Sequence, residues 1–424
     1  MAAPAPTPEA DARIRAFFAK GATATALDLS SCGLRALPSS LQTHLRRDPL
    51  SASRLTLLNL AHNALSTLPP FLAHFPNLKT LFLLANAFTA LPPILAELPA
   101  VTMLSFKCNA LAGTLPASLL PRRIQWLILT SNALTGLSAD FPTRCARVRK
   151  LMLSNNALTS LPPTFATHMA ALELLRLANN RFATLPLSLY DLPRLTWLSL
   201  AGNPCTGGAV RAATDLPAAL AIADLEAAFR VDWMRPFGAG TSGTAYPGVH
   251  RESGQRVAVK RFGTLAGSDG RALDEIAVSL AAAGVPGVVQ AVGYYAETAA
   301  DGGVDTLALV SERVGGHAQC IAGPPSFESC TRSVYEKGKR LSREQAQRIG
   351  KVVQEAVEGL LERGIAHGDV YGHNVLVGDG GEVVLADLGA AWWVPRKAAE
   401  GARKLEMRAI KVFKEEIEAL VDER

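Results

Sequence analysis

A pattern that recurs at a nearly fixed interval runs through the first half of this 424-residue chain. Between Leu27 and Asn203 the sequence follows LxxLxLxxNxLxxLP, and successive asparagines of the pattern lie 23 or 24 residues apart. These asparagines are Asn63, Asn86, Asn109, Asn132, Asn156, Asn180 and Asn203. Cys32 takes the asparagine position of a divergent first unit, so the pattern has about eight units. Units this short cannot bury their own apolar residues, so each must pack against its neighbours.

Leucines two positions apart in each unit, such as Leu58 and Leu60, point to the same side of a short strand. The asparagine that follows is expected to bond backbone groups where the strand turns, because a bare turn would leave them unpaired. This combination is the signature of leucine-rich repeats. We predict an α/β leucine-rich-repeat solenoid over 22–203, with an N-terminal extension or cap over 1–21. Residues 204–229 are expected to form a C-terminal cap and linker, with a helix near 217–229 covering the open end.

The outward positions of the predicted strands are apolar, and exposed apolar sets that contain aromatics mark protein–protein sites. We therefore predict that a protein substrate or regulator binds the concave repeat face. The residues expected there are Phe82, Met103, Trp126, Ile128, Met152, Leu174 and Trp197. The alternative is that several of them lie at the rim or are covered by the rest of the chain. Nucleic acid is not expected, since the basic cluster around 122–150 has no interleaved stacking aromatics.

Charge differs between the two halves of the chain. Residues 22–203 carry 15 Lys and Arg against 6 Asp and Glu, whereas residues 204–424 carry 25 against 29. This asymmetry fits an acidic partner, contact between the halves, or simply a solvated basic face. The six cysteines have no metal-ligand spacing, which favours free thiols in a reducing compartment. No secretory signal or apolar run of 18 residues is present, so no membrane span is predicted and the expected location is cytoplasmic.

The second half opens with a glycine-rich segment, FGAGTSGTAYPG, whose glycines Gly238, Gly240 and Gly243 form GxGxxG. A dinucleotide-binding loop of this pattern would open a helix. Here two alternating segments joined by a Ser-Gly turn follow, which favours a hairpin loop. The second segment ends in Val-Ala-Val-Lys, with Lys260 on a strand. Its charged partner on the next helix is expected to be Glu275, with Asp274 as the less favoured choice.

Further along, HGDVYGHNVL places Asp369 and Asn374 five residues apart, and ADLG supplies Asp387. Phosphoryl transfer needs few protein groups: a carboxylate to orient the attacking hydroxyl and oxygen ligands to hold Mg²⁺ on the phosphates. The order and spacing of the five motifs make residues 231–424 similar to a eukaryotic-type protein kinase domain. The whole chain resembles the soluble leucine-rich-repeat protein kinases.

That resemblance implies a bilobal α+β protein-kinase-like domain over 230–424 that uses ATP and Mg²⁺. It implies Asp369 as the catalytic base, assisted by Lys260 and Glu275, with Asn374 and Asp387 as metal ligands. Ser311 would be the gatekeeper, and residues 312–314 would form the hinge that receives the adenine. The nucleotide-binding set that it implies is Gly238, Ala239, Gly240, Thr241, Ser242, Gly243, Ala258, Lys260, Glu312, Val314, Asn374 and Asp387.

The chain also departs from the family pattern. Gly368 replaces an arginine that in many kinases meets a phosphate on the activation segment, and Tyr371 replaces a lysine of Ser/Thr kinases. Residues 387–406 contain no Ser, Thr or Tyr, so activation-loop phosphorylation is not expected. No APE motif follows. Glu406 is expected to stand in for the Asp that braces the catalytic loop. The C-lobe is therefore expected to be shortened, or the chain truncated.

Residues 317–342 form an insertion after the hinge that is expected to be a long loop, as either a substrate-docking surface or a surface excursion. Its candidates for self-phosphorylation are Ser326, Ser329, Thr331, Ser333 and Tyr335.

The sequence thus predicts an ATP- and Mg²⁺-dependent protein kinase, with Ser/Thr favoured over Tyr as acceptor, that works in signalling through protein phosphorylation. The alternative is a nucleotide-binding pseudokinase scaffold whose repeats mediate interaction. Transfer to a small-molecule acceptor is a third reading.

Overall fold

The structure of the protein, a computed structural model, describes residues 8–20, 23–207, 213–240, 242–264, 267, 269–298, 304–325 and 330–421. Three of the residues singled out from the sequence, Thr241, Ser326 and Ser329, lie outside this described part. The chain divides into two compact units. The first unit comprises Met1–Leu175 and Asn180–Arg194, and the second comprises Arg176–Asn179 and Leu195–Arg424.

The first unit contains short strands that recur once per repeat, with two further strands between them. The strands are β1 (Ala26–Asp28), β2 (Leu57–Asn59), β3 (Thr80–Phe82), β4 (Met103–Ser105), β5 (Ala112–Leu115), β6 (Trp126–Ile128), β7 (Ala133–Leu137), β8 (Lys150–Met152) and β9 (Leu174–Arg176), whose last residue, Arg176, belongs to the second unit. Its helices are α1 (Pro8–Ala19), α2 (Ser39–Arg47), α3 (Pro49–Arg54), α4 (Phe141–Arg144) and α5 (Phe165–His168). β1, β2, β3, β4, β6 and β8 pair in parallel, in chain order. Strand-to-strand stacking of this kind buries the repeat leucines, Leu58 and Leu81 among them.

The repeat asparagines bond the backbone as predicted. Asn132 Nδ2 donates to the carbonyls of Phe106 (2.9 Å) and Leu129 (2.9 Å), and its Oδ1 accepts from the Leu111 N–H (3.0 Å). The residue before each of these asparagines has a positive φ, for example +58° at Ser131. A left-handed backbone at a non-glycine residue costs about 1–2 kcal/mol. The repeat asparagines, stacked one per unit, form an asparagine ladder. Their side-chain hydrogen bonds offset this strain, since they satisfy backbone groups that the turn leaves unpaired.

The amino-terminal part of the second unit is an antiparallel sheet of six strands that differ in length, with one α-helix of ten residues. Its strands are β11 (Phe229–Val231), β12 (Gly238–Ala239), β13 (Gly243–His250), β14 (Arg256–Phe262), β15 (Ala291–Thr298) and β16 (Val304–Glu312), and the helix is α7 (Ala272–Ala281). The strand order is β11-β13-β14-β16-β15, with β12 paired to β13. Val257 and Val259 of β14 lie in one buried core. They are two residues apart, so their side chains point to the same face of the strand.

The carboxyl-terminal part of the second unit is mainly helical. It contains β17 (Gln319–Cys320), α8 (Arg343–Glu362), β18 (Ile365–Ala366), β19 (Val375–Val377), β20 (Val383–Leu385), β21 (Trp392–Trp393) and α9 (Ala399–Glu418). Ser342 and Gln345 form a capping box that starts α8. Val353 of α8 and Phe413 of α9 share one buried core. α9 begins at Ala399, a short segment after the ADLG motif.

The last repeat strand, β10 (Trp197–Ser199), belongs to the second unit. Backbone bonds tie it to the Arg176–Asn179 segment: Leu177 N–H donates to the Ser199 carbonyl (3.0 Å) and Asn179 N–H to the Ala201 carbonyl (2.8 Å). The second unit therefore begins ahead of the predicted kinase-like boundary at 230.

The predicted helix near 217–229 is largely wrong. The helical elements of the span are only a single 3-10 turn, Ala218–Leu220, and the short α6 (Leu225–Ala228), capped by Asp224, whose carboxylate accepts from the Ala227 N–H. Between these two elements the chain pairs with the sheet, since Ala221 bridges to Tyr294 and Ile222 N–H donates to the Tyr294 carbonyl (2.7 Å). Edge pairing on β15 thus replaces the expected solenoid cap.

Candidate active site

The glycine-rich segment is a hairpin rather than the start of a helix. The strand Gly238–Ala239 pairs antiparallel with β13, and Gly240 N–H donates to the Gly243 carbonyl (2.8 Å). A Cβ at Gly243 would lie 2.3 Å from the Arg261 carbonyl oxygen, so this position needs glycine. Gly238, Ala239 and Gly240 are exposed, whereas Ser242 and Gly243 are half-buried. The prediction of a hairpin loop is confirmed for the described residues of this segment.

Lys260 lies on β14 between two carboxylates. Its Nζ is 2.5 Å from Glu275 Oε1 on α7 and 3.7 Å from Asp387 Oδ1. Asp274, the alternative partner, is instead bonded by Arg271 (2.8 Å). Glu275 is therefore the partner of Lys260. Ala258, two residues earlier on β14, is half-buried and pairs with the gatekeeper position Ser311 on β16.

Mutual attraction favours the charged forms of Lys260 and Asp387. Burial lowers the pKa of Lys260, but Glu275 and Asp387 outweigh it and leave that pKa above its ordinary value. The pKa of Asp387 is lowered, chiefly by the charge of Lys260. Burial raises the pKa of Glu275 against the attraction of the lysine. Lys260 is thus a fixed cation beside an ionised Asp387.

The catalytic-loop residues are also assembled. Asn374 Nδ2 donates to the backbone oxygen of Asp369 (2.9 Å) and to its Oδ2 (3.2 Å). His367 accepts from the Asp369 N–H at Nδ1 and lies 3.2 Å from the Ala386 carbonyl at Nε2. Burial lowers the His367 pKa to about 4, so its ring is a neutral spacer between the two segments. Burial also raises the pKa of Asp369 to about 6, although the nearby Arg176 opposes the shift.

Two oxygen donors suited to Mg²⁺ border this site. The amide nitrogen of Asn374 is engaged by Asp369, and no described residue donates to its Oδ1, which leaves that oxygen available as a ligand. The side chain of Asp387 is 52% exposed and its backbone is left-handed, with φ +58°. The described residues contain no cluster of three or more His, Cys, Asp or Glu side chains for a metal. Mg²⁺ does not require one, because it binds through one or two side-chain oxygens and substrate phosphates.

Glu406 of α9 braces the catalytic loop as predicted. Its Oε1 accepts from the Gly368 N–H (2.7 Å), and the residue is fully buried. Its other oxygen has no hydrogen-bond partner among the described residues. Burial raises the pKa of Glu406 to about 7, with Asp369 adding to the rise and Arg332 opposing it.

The raised pKa of Glu406 predicts a pH-dependent stability. Because the folded protein binds this proton more tightly than the unfolded chain does, the contribution is complete below about pH 4.5 and is lost as pH rises to about 7. A shift of this size corresponds to roughly 3 kcal/mol. Glu406→Gln cannot titrate at this position. We therefore expect the free energy of unfolding of wild type, measured relative to that of Glu406→Gln, to fall by roughly 3 kcal/mol between about pH 4.5 and pH 7. Urea melts at pH 4.5 and 7.5 measure it, and a constant difference would contradict the assignment.

The two unusual catalytic-loop residues both face β10. Leu198 N–H donates to the Gly368 carbonyl (3.1 Å), and a Cβ at Gly368 would lie 2.3 Å from the Leu198 carbonyl oxygen. The Tyr371 ring packs against the Trp197 ring with centroids 4.9 Å apart. Trp392, in the segment after Asp387, donates from its indole to the Leu198 carbonyl (3.2 Å). Backbone and aromatic contacts thus occupy the positions where the family pattern carries Arg and Lys.

A residue that the sequence reasoning missed also enters the site. Arg176 Nη2 donates to Asp369 Oδ1 (2.8 Å), and its Nε lies 2.9 Å from Asp269 Oδ1. The Arg176 side chain is only 5% exposed. One signal could have revealed it, because Arg176 follows Leu174 by two residues and so shares its outward face, where most other positions are apolar.

The predicted adenine-binding hinge follows β16. Glu312 N–H donates to the Gln290 carbonyl (2.8 Å) and thereby anchors the end of the strand. Within the described residues the backbone N–H of Val314 has no hydrogen-bond acceptor. A free backbone donor at the hinge is what a planar, nitrogen-rich base can use.

The described part of the insertion after the hinge contains strand pairing that the predicted long loop would lack. It starts with β17, which pairs with β19, and Gly323 bridges to Val334. Ser333 and Tyr335 donate their hydroxyls to Glu416 of α9 (2.9 and 3.0 Å). The described part of the insertion is therefore attached to the helical part of the second unit.

The apolar outward positions of the repeats are mostly covered. Five of the seven proposed partner-contact residues are buried, namely Met103, Trp126, Ile128, Leu174 and Trp197. Lys150 lies over the Trp126 ring at 4.3 Å in the first unit, and Trp197 packs on Tyr371 in the second. Phe82 and Met152 remain half-exposed. The expectation of an exposed concave surface is therefore wrong for those five residues, whose side chains are packed.

Comparison with known families identifies both parts of the chain. A family model described as protein kinase domain matches residues 232–407, and one described as leucine rich repeat matches 122–182 and 146–204. A search of curated proteins gave no significant match. No helix in the described part of the chain has the length and apolar character needed to cross a membrane. The chain thus carries leucine-rich repeats followed by a protein kinase domain, the arrangement of the leucine-rich-repeat protein kinases.

Proposed function

We propose that this protein transfers the γ-phosphoryl group of ATP to a hydroxyl of a protein substrate, with serine or threonine as the favoured acceptor. The observation that carries the proposal is the position of Lys260, whose ammonium lies between Glu275 and Asp387. A kinase needs both the lysine–glutamate pair and the aspartate of the metal site in place for transfer. The intact Asp369–Asn374 bond adds the acceptor-orienting group.

Each residue contributes a distinct step in this proposal. The glycine hairpin and Lys260 hold the phosphates, and the free Val314 N–H and the hinge at Glu312 receive the adenine. Asp369 accepts a hydrogen bond from the acceptor hydroxyl and takes up its proton. Asn374 and Asp387 would hold Mg²⁺, which neutralises charge on the transferring phosphoryl when bound.

The surroundings of the site support slow, unswitched catalysis rather than control by activation-loop phosphorylation. Asp387 is followed within twelve residues by the start of α9 at Ala399, and no hydroxyl side chain lies between them. We infer that the short segment, with Trp392 bonded to Leu198, holds the site in one arrangement. We also infer eight repeat units, supported by one strand per predicted unit, and a shortened C-lobe, supported by the short segment between Asp387 and α9.

The leucine-rich repeats support a second part of the proposal, which is binding of a protein substrate or regulator. Half-exposed Phe82 and Met152 are the candidate contacts that remain. All six cysteines are free, which supports the expected reducing, cytoplasmic location.

The test is transfer of radiolabel from Mg-ATP to the protein itself and to dephosphorylated casein. We expect wild type to label both, and Asp387→Ala and Asp369→Asn to lose at least about 10²-fold in rate. Phe82→Ser is expected to lower casein labelling without changing self-labelling if the repeats recruit protein. Equal signal from wild type and both aspartate variants would refute the kinase proposal. A rise in melting temperature with Mg-ATP but no transfer would identify a pseudokinase scaffold instead.

A further inference from the structure

The carboxylate of Asp369 is held by a cation that comes from a repeat strand. Arg176 closes β9, far outside the 232–407 kinase match, yet it belongs to the same compact unit as Asp369. We propose that Arg176 is a positioning residue of the phosphotransfer site, fixing the Asp369 carboxylate and supplying the positive charge that Tyr371 does not. The inference rests on the proposed kinase function.

The contact is specific in its geometry. Arg176 bridges two carboxylates, with Nη2 at 2.8 Å from Asp369 Oδ1 and Nε at 2.9 Å from Asp269 Oδ1. Asn374 engages the other oxygen of Asp369 at 3.2 Å. Both oxygens of the proposed base therefore have a fixed donor, and the planar fork of a guanidinium defines an orientation that a lysine ammonium would not.

The charge balance of the site requires such a cation. Two ion-pair sets meet there, Lys260 with Glu275 and Asp387, and Arg176 with Asp269 and Asp369. Four carboxylates therefore face two cations before any phosphate enters. An unpaired buried charge is strongly unfavourable. Without Arg176, Asp369 and Asp269 would lose their cation, and the Asp369 carboxylate would no longer be held in one orientation.

Two buried nitrogens of Arg176, Nε and Nη1, have no hydrogen-bond partner among the described residues, although buried guanidinium N–H groups are normally paired. Nε lies 2.9 Å from Asp269 Oδ1, so Nη1 is the donor left unused. Phosphate oxygens are strong acceptors for arginine. The unused donor is what a residue that meets a charged ligand would present.

The backbone around Arg176 holds it in place. Leu177 N–H donates to the Ser199 carbonyl (3.0 Å), and on the neighbouring β10 Leu198 N–H donates to the Gly368 carbonyl (3.1 Å). This chain of backbone bonds links Arg176 to the residue next to Asp369. Glycine at 368 makes the approach possible, since any side chain there would meet the Leu198 carbonyl.

Blocking of the base by Arg176 is the competing reading, and the rest of the site argues against it. The Lys260–Glu275 pair (2.5 Å) and the Lys260–Asp387 contact (3.7 Å) are present together with the Arg176–Asp369 bond. These are the contacts that phosphoryl transfer needs. The arginine contact therefore coexists with an aligned nucleotide site.

The test compares Arg176→Ala and Arg176→Lys with Arg181→Ala, an exposed arginine five residues away. With dephosphorylated casein and Mg-ATP, we expect Arg176→Ala to lower kcat by about 10²–10³-fold while KM for ATP changes less than about threefold. Arg176→Lys should retain an intermediate kcat, and millimolar guanidinium should restore part of the activity of the alanine variant. Arg181→Ala should match wild type.

The outcomes separate this inference from the proposed function. An active wild type with unchanged kcat in Arg176→Ala overturns the inference alone, and a higher kcat shows that Arg176 blocks the base, which also overturns it. A wild type as inactive as Asp387→Ala overturns both. Unfolding midpoints of the ligand-free variants, and their rise with Mg-ADP, show whether each variant is folded and binds nucleotide. If the alanine variant does not fold, Arg176→Lys decides, since wild-type kcat there would refute the positioning role.

Discussion

Replacing Gly368 with arginine, the residue of the family pattern, is expected to destabilise the protein by at least about 3 kcal/mol rather than to activate it. Gly368 has φ +73°, and a Cβ there would lie 2.3 Å from the Leu198 carbonyl oxygen and 3.0 Å from that of Ala390. Both obstacles are backbone atoms that cannot rotate away. Relief would need the bond from Leu198 N–H to the Gly368 carbonyl to break.

The same chain offers a control that separates backbone strain from steric clash. Gly364 has φ +71°, and nothing lies within 4 Å of a Cβ built on it. Gly364→Ala should therefore lose only about 1 kcal/mol, the cost of a left-handed alanine. Gly368→Ala should lose clearly more, because it adds the clash. Urea unfolding of the three variants measures both effects, and equal losses for the two alanine variants would show that β10 does not press on the catalytic loop.

Local patterns in the sequence were sufficient to predict much of this architecture. The repeat interval predicted the short strands and the asparagine ladder, because each Asn bonds groups within one or two neighbouring units. The glycine hairpin, the Lys260–Glu275 pair and the bracing contact of Glu406 also followed from motif order. These features depend on spacing along the chain, which a single sequence records directly.

Contacts that join distant parts of the chain were not predictable in this way. Arg176 and Asp369 are separated by 193 residues, and no motif links them. The absence of Arg at 368 and of Lys at 371 looked like two independent losses. In the structure both positions face β10, at Leu198 and Trp197 respectively. The prediction that the outward apolar residues are exposed failed for the same reason. Trp197, for example, is buried and packs against Tyr371, which lies far along the chain.

The second large effect is expected at Lys260. Replacing it with methionine should lower phosphoryl transfer by about 10²–10³-fold, since the cation that aligns the phosphates is lost. It should also destabilise the fold by roughly 3–5 kcal/mol, because Glu275 is left buried without its partner. Arg261→Met is the matched control on the same strand, where the side chain is exposed, and should leave both quantities near wild type.

A double variant separates the two consequences of losing Lys260. In Lys260→Met with Glu275→Leu, no unpaired carboxylate remains at 275, so stability should recover to within about 1–2 kcal/mol of wild type. Transfer should stay as low as in the single variant, because the lysine that aligns the phosphates is still missing. Urea unfolding and casein phosphorylation on the same preparations measure the two properties. Recovery of activity together with stability would mean that the Lys260–Glu275 pair supports only the fold and that phosphate alignment comes from another cation of the site.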